Sequence, residues 1–229
     1  MRDEFDKYID NYRENLDDAL WLSGESSLYY AQYKALKIKE WLAPILPHES
    51  YILDFGCGDG IMAHEVQSLF KDAHVYGVDP SSESIEEAQE INPDINFSVS
   101  NDTIPFDRGS FDLVYSAGVF HHIPFNEHAH FLQEIMRILK PHGLFILFEL
   151  NPLNPLTVWT FRHNPIDANA TMLYPWYTRT LLGKIAKPHI KYICFFPNFL
   201  KGLRRFEPYM TYIPFGALYA GILKRPLHL

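Results

Sequence analysis

The stretch that most constrains this chain is residues 51–60, Tyr-Ile-Leu-Asp-Phe-Gly-Cys-Gly-Asp-Gly. Tyr51 to Phe55 is short, apolar and β-prone, which predicts a buried strand. Gly56, Gly58 and Gly60 follow at alternate positions, and Ile61, Val66, Leu69 and Phe70 then recur at helical spacing over 61–70. Strand, glycine-dense turn and helix form the first half of a nucleotide-binding βαβ unit. The glycines permit backbone angles that a Cβ forbids and let a ligand lie against the main chain. The helix start offers unpaired N–H groups.

The spacing narrows the ligand. Dinucleotide folds carry G-x-G-x-x-G, with pyrophosphate over the helix N-terminus. Here the spacing is G-x-G-x-G, with Asp54 two residues ahead of the first glycine and Asp59 inside the turn. Two carboxylates repel a pyrophosphate and favour a ligand carrying positive charge. The D-x-G-C-G-x-G form resembles motif I of the class I S-adenosylmethionine-dependent methyltransferases, whose ligand carries a sulfonium and an ammonium and no phosphate. The run Glu134-Ile-Met-Arg-Ile-Leu-Lys-Pro-His-Gly143 is similar to the family's E-x-x-R-x-L-K-P-x-G segment, so the resemblance covers at least residues 51–150.

The resemblance implies an α/β fold: a seven-stranded, mostly parallel Rossmann-like sheet with an antiparallel last strand, helices on both faces and an N-terminal helical lid. It implies a single methyltransferase domain over 1–229, with the lid in 1–46, the cofactor core in 47–150, and acceptor-side elements and last strands in 151–229. It also implies an enzyme that binds S-adenosylmethionine, releases S-adenosylhomocysteine and uses no metal.

The remaining strands follow from apolar runs. Val75 to Val78 reads as the second strand, ended by Asp79, about 20 residues after the glycine turn, where an acid is placed to accept both hydroxyls of a ribose. NAD proteins use such an acid too, so Asp79 argues for a ribose without choosing the cofactor. Pro80 and Ser81 follow, and Ser81 is a candidate cap for the next helix. Ile95 to Val99 reads as the third strand. In the resembling family an acid or amide just beyond it meets adenine, and Ser100, Asn101 and Asp102 all qualify. Ser110 to Tyr115 reads as the fourth strand, running into Ser116-Ala117-Gly118, small residues that leave room for a ligand at the strand's C-terminal end. The candidate cofactor-binding set is therefore Asp54, Gly56, Cys57, Gly58, Gly60, Asp79, Pro80, Ser81, Asn101, Asp102, Ser116, Ala117 and Gly118. Tyr12 joins it from the lid, whose Phe-Asp-x-Tyr start resembles the family's. A helix over 131–140, a fifth strand over 144–149, a helix over 175–186 and two last strands over 190–196 and 213–223 complete the expected layout.

His121 is a candidate general base beside the methyl donor, and His122 a weaker one. No H-x-x-x-H helix with an acid surrounds His128 and His130, so no metal is expected. Asn151-Pro follows the fifth strand and lacks the Pro-Pro-aromatic continuation of the DNA amino-methyltransferases, and no Pro-Cys nucleophile ends the fourth strand. A nucleic acid acceptor is therefore not expected. A non-catalytic binding module on the same fold is the alternative, opposed by the intact glycine turn and Asp79. An NAD-dependent oxidoreductase needs the G-x-G-x-x-G spacing that is missing.

Charge divides the chain. Residues 1–170 hold 11 Lys and Arg against 27 Asp and Glu, whereas residues 171–229 hold 9 against Glu207 alone. The C-terminal part is also aromatic, and Lys201, Arg204, Arg205 and Phe206 cluster between the last two strands. Such a segment reads as a basic solvated face balancing the acidic body, or else fits an anionic partner, a peripheral membrane contact or a phosphate-bearing, lipid- or sugar-linked acceptor. A small or amphiphilic acceptor is expected. No apolar run reaches the roughly 18 residues of a membrane span, the acidic N-terminus lacks the core of a signal peptide, and two cysteines are too few for a disulfide framework. A cytoplasmic protein is expected.

Overall fold

The computed structural model describes residues 12–228. Phe5, Tyr8 and Ile9 of the expected lid lie outside that range, as does the side chain of Tyr12.

Helix α1 spans Tyr12–Ala19 and α2 spans Ser27–Leu42. Between them Gly24 adopts φ 66° and breaks the helical run. The Ser26 hydroxyl accepts from Tyr29 N and caps α2, and Pro44 follows its end. The core then alternates: β1 (Tyr51–Phe55), α3 (Ile61–Leu69), β2 (His74–Asp79), α4 (Ser82–Ile91), β3 (Asn96–Val99), β4 (Phe111–Ala117), α5 (His128–Ile138) and β5 (Leu139–Leu150). Helices α6 (Pro155–His163) and α7 (Pro175–Gly183), strand β6 (His189–Ile193), a 3-10 segment (Asn198–Tyr209) and β7 (Leu218–Lys224) complete the chain.

The seven strands order as β3-β2-β1-β4-β5-β7-β6, and β7 runs antiparallel to both neighbours. The order reverses between β1 and β4, the switch point where open α/β sheets bind ligands. Side chains alternate across the sheet. Ile52, Val75, Leu113 and Ile146 join α2 and α3 on one face, while Leu53, Val78, Val114 and Leu147 join α5 and α7 on the other. Both faces are covered, which is why the strands read as continuous apolar runs.

Three strand boundaries shift by three residues or more from expectation. Strand β5 starts at Leu139 rather than at 144, because Leu139 pairs with Phe111 ahead of a bulge in the ladder. Strand β6 ends at Ile193 rather than at 196, because Cys194 turns to φ 59°. Strand β7 starts at Leu218 rather than at 213. Residues ahead of it are held as a loop by Asn151, whose side-chain amide donates to the carbonyls of Pro214 and Gly216. Among the described residues no helix is long and apolar enough to cross a membrane.

Candidate functional site

The glycine turn is drawn against the end of β2, since Gly56 N and Cys57 N both donate to the Val78 carbonyl at 2.8 and 3.0 Å. Its glycines do different work. Gly60 (φ 76°) heads α3, and a Cβ there would meet the Phe97 ring at 2.8 Å. Gly58 (φ 51°) opens on space, with nothing within 4 Å of where a Cβ would stand. Beside that opening Asp79 Oδ2 accepts from Gly58 N at 3.0 Å and Oδ1 accepts from Ser81 N at 2.9 Å. The carboxylate is thus fixed by main chain at the end of β2, next to bare backbone.

Asp54, Gly56, Cys57, Gly58, Asp79, Pro80, Ala117 and Gly118 line one cavity over this turn. Gly60, Ser81, Asn101, Asp102 and Ser116 are not among its walls. Ser81 caps α4, accepting from Ser84 N at 3.2 Å. Asn101 and Asp102 are exposed, and Ser116 is buried within β4 with its hydroxyl lacking a hydrogen-bond partner among the described residues. Sequence reasoning did not find Arg13 and Leu16 of α1, Ser27 and Lys34 of α2, or Ser84 and Glu87 of α4, which also line it. Their positions look like ordinary helix faces in sequence, and only the packing of α1 and α2 over the sheet shows where they point.

The cavity's electrostatics are uneven. Burial pushes the Asp54 carboxyl up to about 7; Tyr115, whose hydroxyl donates to Oδ2 at 3.0 Å, and Lys34 pull it down, while Asp79 and Asp59 push it up. Burial pushes the Lys34 amine below its ordinary value, opposed by Asp54 and Glu149. At the rim Arg13 Nε donates to Asp59 Oδ2 at 2.7 Å and ties α1 to the turn.

A second cavity adjoins the first. Leu20, Tyr30, Leu150, Leu156, Thr160 and Ile166 supply much of its wall, and Leu16, Ser27, Lys34, Ala117, Gly118 and His122 line both cavities. Leu156, Thr157, Thr160, Asn164, Ile166 and Asp167, between β5 and α7, line this second cavity. The basic segment does not reach it. Arg204 instead donates to Glu25 Oε1 at 2.6 Å and to the Phe196 carbonyl at 3.0 Å, and Lys201 and Arg205 are exposed.

His121 and His122 stand at the floor of the second cavity on a 3-10 turn, Phe120–His122. Buried His128 fixes that turn, its Nε2 lying 2.9 Å from the carbonyls of both Phe120 and Ile123. His121 Nδ1 lies 2.6 Å from Glu149 Oε2, and His121 Nε2 faces Asp167 Oδ1 at 3.3 Å. Burial opposes a charge on this ring, but Glu149 and Asp167 outweigh it and raise its pKa to about 10. A ring held in that state donates protons and does not accept them. Burial and the neighbouring charge push His122 down to about 3, leaving it neutral. Glu149 and Asp167 carry no local sequence signal, since they reach His121 from β5 and from a 3-10 turn beyond α6.

Comparison with known proteins agrees with this geometry. The family described as "Methyltransferase domain" matches residues 53–147. A 2-methyl-6-phytyl-1,4-hydroquinone methyltransferase of Synechocystis sp. is 32% identical over 124 residues, 50% of this chain and 37% of that protein. A cyclopropane-fatty-acyl-phospholipid synthase of Escherichia coli is 29% identical over 147 residues, 64% of this chain and 36% of that protein. The chain thus spans little more than a third of the length of these relatives. A solved S-adenosylmethionine-dependent methyltransferase of Archaeoglobus fulgidus superposes with a TM-score of 0.66 at 15% identity, covering 85% of this chain and 94% of that one. The glycine turn and the family match coincide over residues 53–147, from β1 into β5, and the sheet around them has the fold of the S-adenosylmethionine-dependent methyltransferases.

Proposed function

We propose that this chain methylates an amphiphilic acceptor, taking the methyl group from S-adenosylmethionine held in the first cavity and presenting the acceptor from the second. The observation that carries this reading is the shared wall. Ala117 and Gly118 at the end of β4 line both cavities, so a methyl group over Gly118 is exposed to a molecule in the second. The residues fit the donor: Gly58 leaves room against the main chain, Asp79 offers a fixed carboxylate to the ribose, and Asp54 and Lys34 offer opposite charges to an amino-acid end. When bound, the sulfonium supplies an activated methyl group. The chain's part is alignment and exclusion of water, and positioning of this kind lowers barriers by roughly 7–11 kcal/mol.

The acceptor class rests on lining and surface. Leucine, isoleucine and alanine dominate the second cavity away from the histidine cluster. Outside it, Phe199, Tyr209, Tyr212 and Phe215 are each more than 60% exposed on a segment that also carries exposed Lys201 and Arg205. Aromatic and basic residues together suit an anionic lipid surface, from which an acceptor with an apolar tail would be drawn. Both curated relatives named above act, by their names, on molecules with long apolar chains.

Titration calorimetry with S-adenosylmethionine and S-adenosylhomocysteine tests the donor half. Charge-assisted hydrogen bonds contribute roughly 1.5–3 kcal/mol, so Asp79→Ala should weaken binding about tenfold or more. Unaltered affinity in that variant refutes the site. Co-sedimentation with vesicles of neutral lipid, with and without phosphatidylglycerol, tests the surface. Binding only to the anionic vesicles, lost in a Phe199→Ser, Arg205→Glu double variant, is the expected result.

A further inference from the structure

We propose that His121, His122 and Asp167 form a divalent metal site, with zinc the best-fitting ion, whose open position faces the second cavity. One donor atom from each of the three lies within 4.8 Å of the others. Asp167 Oδ1 stands 3.3 Å from His121 Nε2 and 3.4 Å from His122 Nε2. A charge-assisted N–H···O bond is about 2.7–2.9 Å long, so neither contact is a good one. Two ligands of a tetrahedral zinc, each roughly 2.0–2.2 Å from it, lie about 3.4 Å apart, whereas right-angle positions bring them to about 3.0 Å. The two separations from Asp167 Oδ1 match those of ligands sharing a tetrahedral cation.

The surroundings are those of a metal ligand set. Histidine ligands characteristically give their other ring nitrogen to a carboxylate, and His121 Nδ1 lies 2.6 Å from Glu149 Oε2. Asp167 is oriented in turn by Asn164, whose side-chain amide donates to Oδ2 at 2.7 Å while its oxygen caps the 3-10 turn that carries Asp167. Glu149 and Asp167 are both buried, and Glu149 Oε1 has no hydrogen-bond partner among the described residues. A bound cation would take the place of the Nε2 proton that His121 otherwise holds, so two buried carboxylates and two neutral imidazoles would balance a charge of +2. Three protein ligands with a fourth position open is the pattern of catalytic rather than structural zinc. On the methyl-transfer reading above, an acceptor hydroxyl taking that position is acidified. Its proton passes to bulk water, and the oxygen keeps the electron pair that forms the C–O bond as the C–S bond breaks.

The test is metal content. After removal of metal with a chelator, addition of zinc and desalting, the full chain should retain about one equivalent by elemental analysis. Cobalt(II) in its place should give the intense visible bands of a four-coordinate site. Glu149→Gln keeps all three ligands and should weaken zinc about 10–100-fold. His122→Ala and Asp167→Asn should lose stoichiometric retention while circular dichroism shows them folded, and His48→Ala, an exposed histidine elsewhere, should retain it. Wild-type retention below about a tenth of an equivalent, or undiminished retention in His122→Ala or Asp167→Asn, overturns the proposal. If those two variants do not fold, the cobalt spectrum of the wild type and the Glu149→Gln affinity decide it. Binding of S-adenosylhomocysteine reads the methyltransferase proposal separately, so either can fail without the other.

Discussion

Gly58 separates ligand contact from fold. Its φ of 51° is reachable by alanine at a cost of about 1–2 kcal/mol, and no atom lies within 4 Å of the Cβ that alanine would add. Gly58→Ala should therefore fold, with a melting temperature lower by roughly 2–8 °C, taking about 2–4 °C per kcal/mol for a chain of this size. The new methyl group would stand in the hollow where the donor meets main chain, and affinity for S-adenosylmethionine should fall by more than about tenfold. Gly60→Ala is the control. It carries the same backbone strain at φ 76° and adds overlap with the Phe97 ring at 2.8 Å and with Ala88 Cβ at 3.1 Å. Overpacking of that kind costs about 1–3 kcal/mol, so its loss is mainly thermal stability. The assay is calorimetric titration beside differential scanning calorimetry on both variants. A Gly58→Ala protein with wild-type affinity, or one that loses no more affinity than Gly60→Ala at matched folded fraction, refutes the placement of the donor over this turn.

Other outcomes follow from groups already placed. Asp54, faced by Tyr115, Lys34, Asp79 and Asp59, has its pKa raised to about 7 in the folded chain. It therefore contributes stability that is full below about pH 4 and lost as pH rises through 7. A cationic ligand favours its carboxylate, so donor binding at pH 6 should release a proton, seen as a dependence of calorimetric heat on buffer ionisation enthalpy; heat independent of buffer counts against that contact. Glu207 accepts from Tyr33 Oη at 2.5 Å and from Phe195 N and Phe196 N at 2.9 and 3.2 Å, binding the basic segment to α2. Glu207→Gln exchanges charge-assisted for neutral bonds and should cost about 1.5–3 kcal/mol, measured as a lower denaturation midpoint; an unchanged midpoint would show that the anchor carries no net stability.

The sheet was legible because each core strand is a short apolar run closed by a polar or small residue, and the glycine turn fixed where the first crossover begins. What could not be read were features set by partners distant in sequence. The extra length of β5 comes from Phe111, the late start of β7 from Asn151, and neither leaves a local mark. The site divides in the same way. Asp54, Gly56, Cys57, Gly58, Asp79, Pro80, Ala117 and Gly118, on the turn and the strand ends, line the first cavity, whereas Gly60 and Ser116 do not. Asn101 and Asp102 do not line it: beyond β3 the chain turns outward, and Ser100 spends its hydroxyl on the Thr103 carbonyl. His121 was visible in the sequence as a candidate base. Its ionic state was not, because Glu149 and Asp167 decide it and each reads alone as an ordinary acid.

Lys34 shows what the N-terminal layer contributes beyond cover. The first cavity gathers Asp54, Asp59, Asp79 and Glu87, a field that favours the ammonium and sulfonium of the donor and opposes its carboxylate. Arg13 is already paired with Asp59. The Lys34 amine, delivered from α2, forms no ion pair within 4.0 Å among the described residues, and burial lowers its pKa against the pull of Asp54 and Glu149. A ligand carboxylate beside it relieves both imbalances at once. The expected consequence is selectivity. Wild-type protein should prefer S-adenosylmethionine to its decarboxylated analogue, and Lys34→Met should lose about tenfold of that preference while its affinity for the decarboxylated analogue holds or rises. Competitive titration of the two ligands measures the ratio directly. An equal loss for both would mean that Lys34 acts only through packing, and that the carboxylate is met elsewhere.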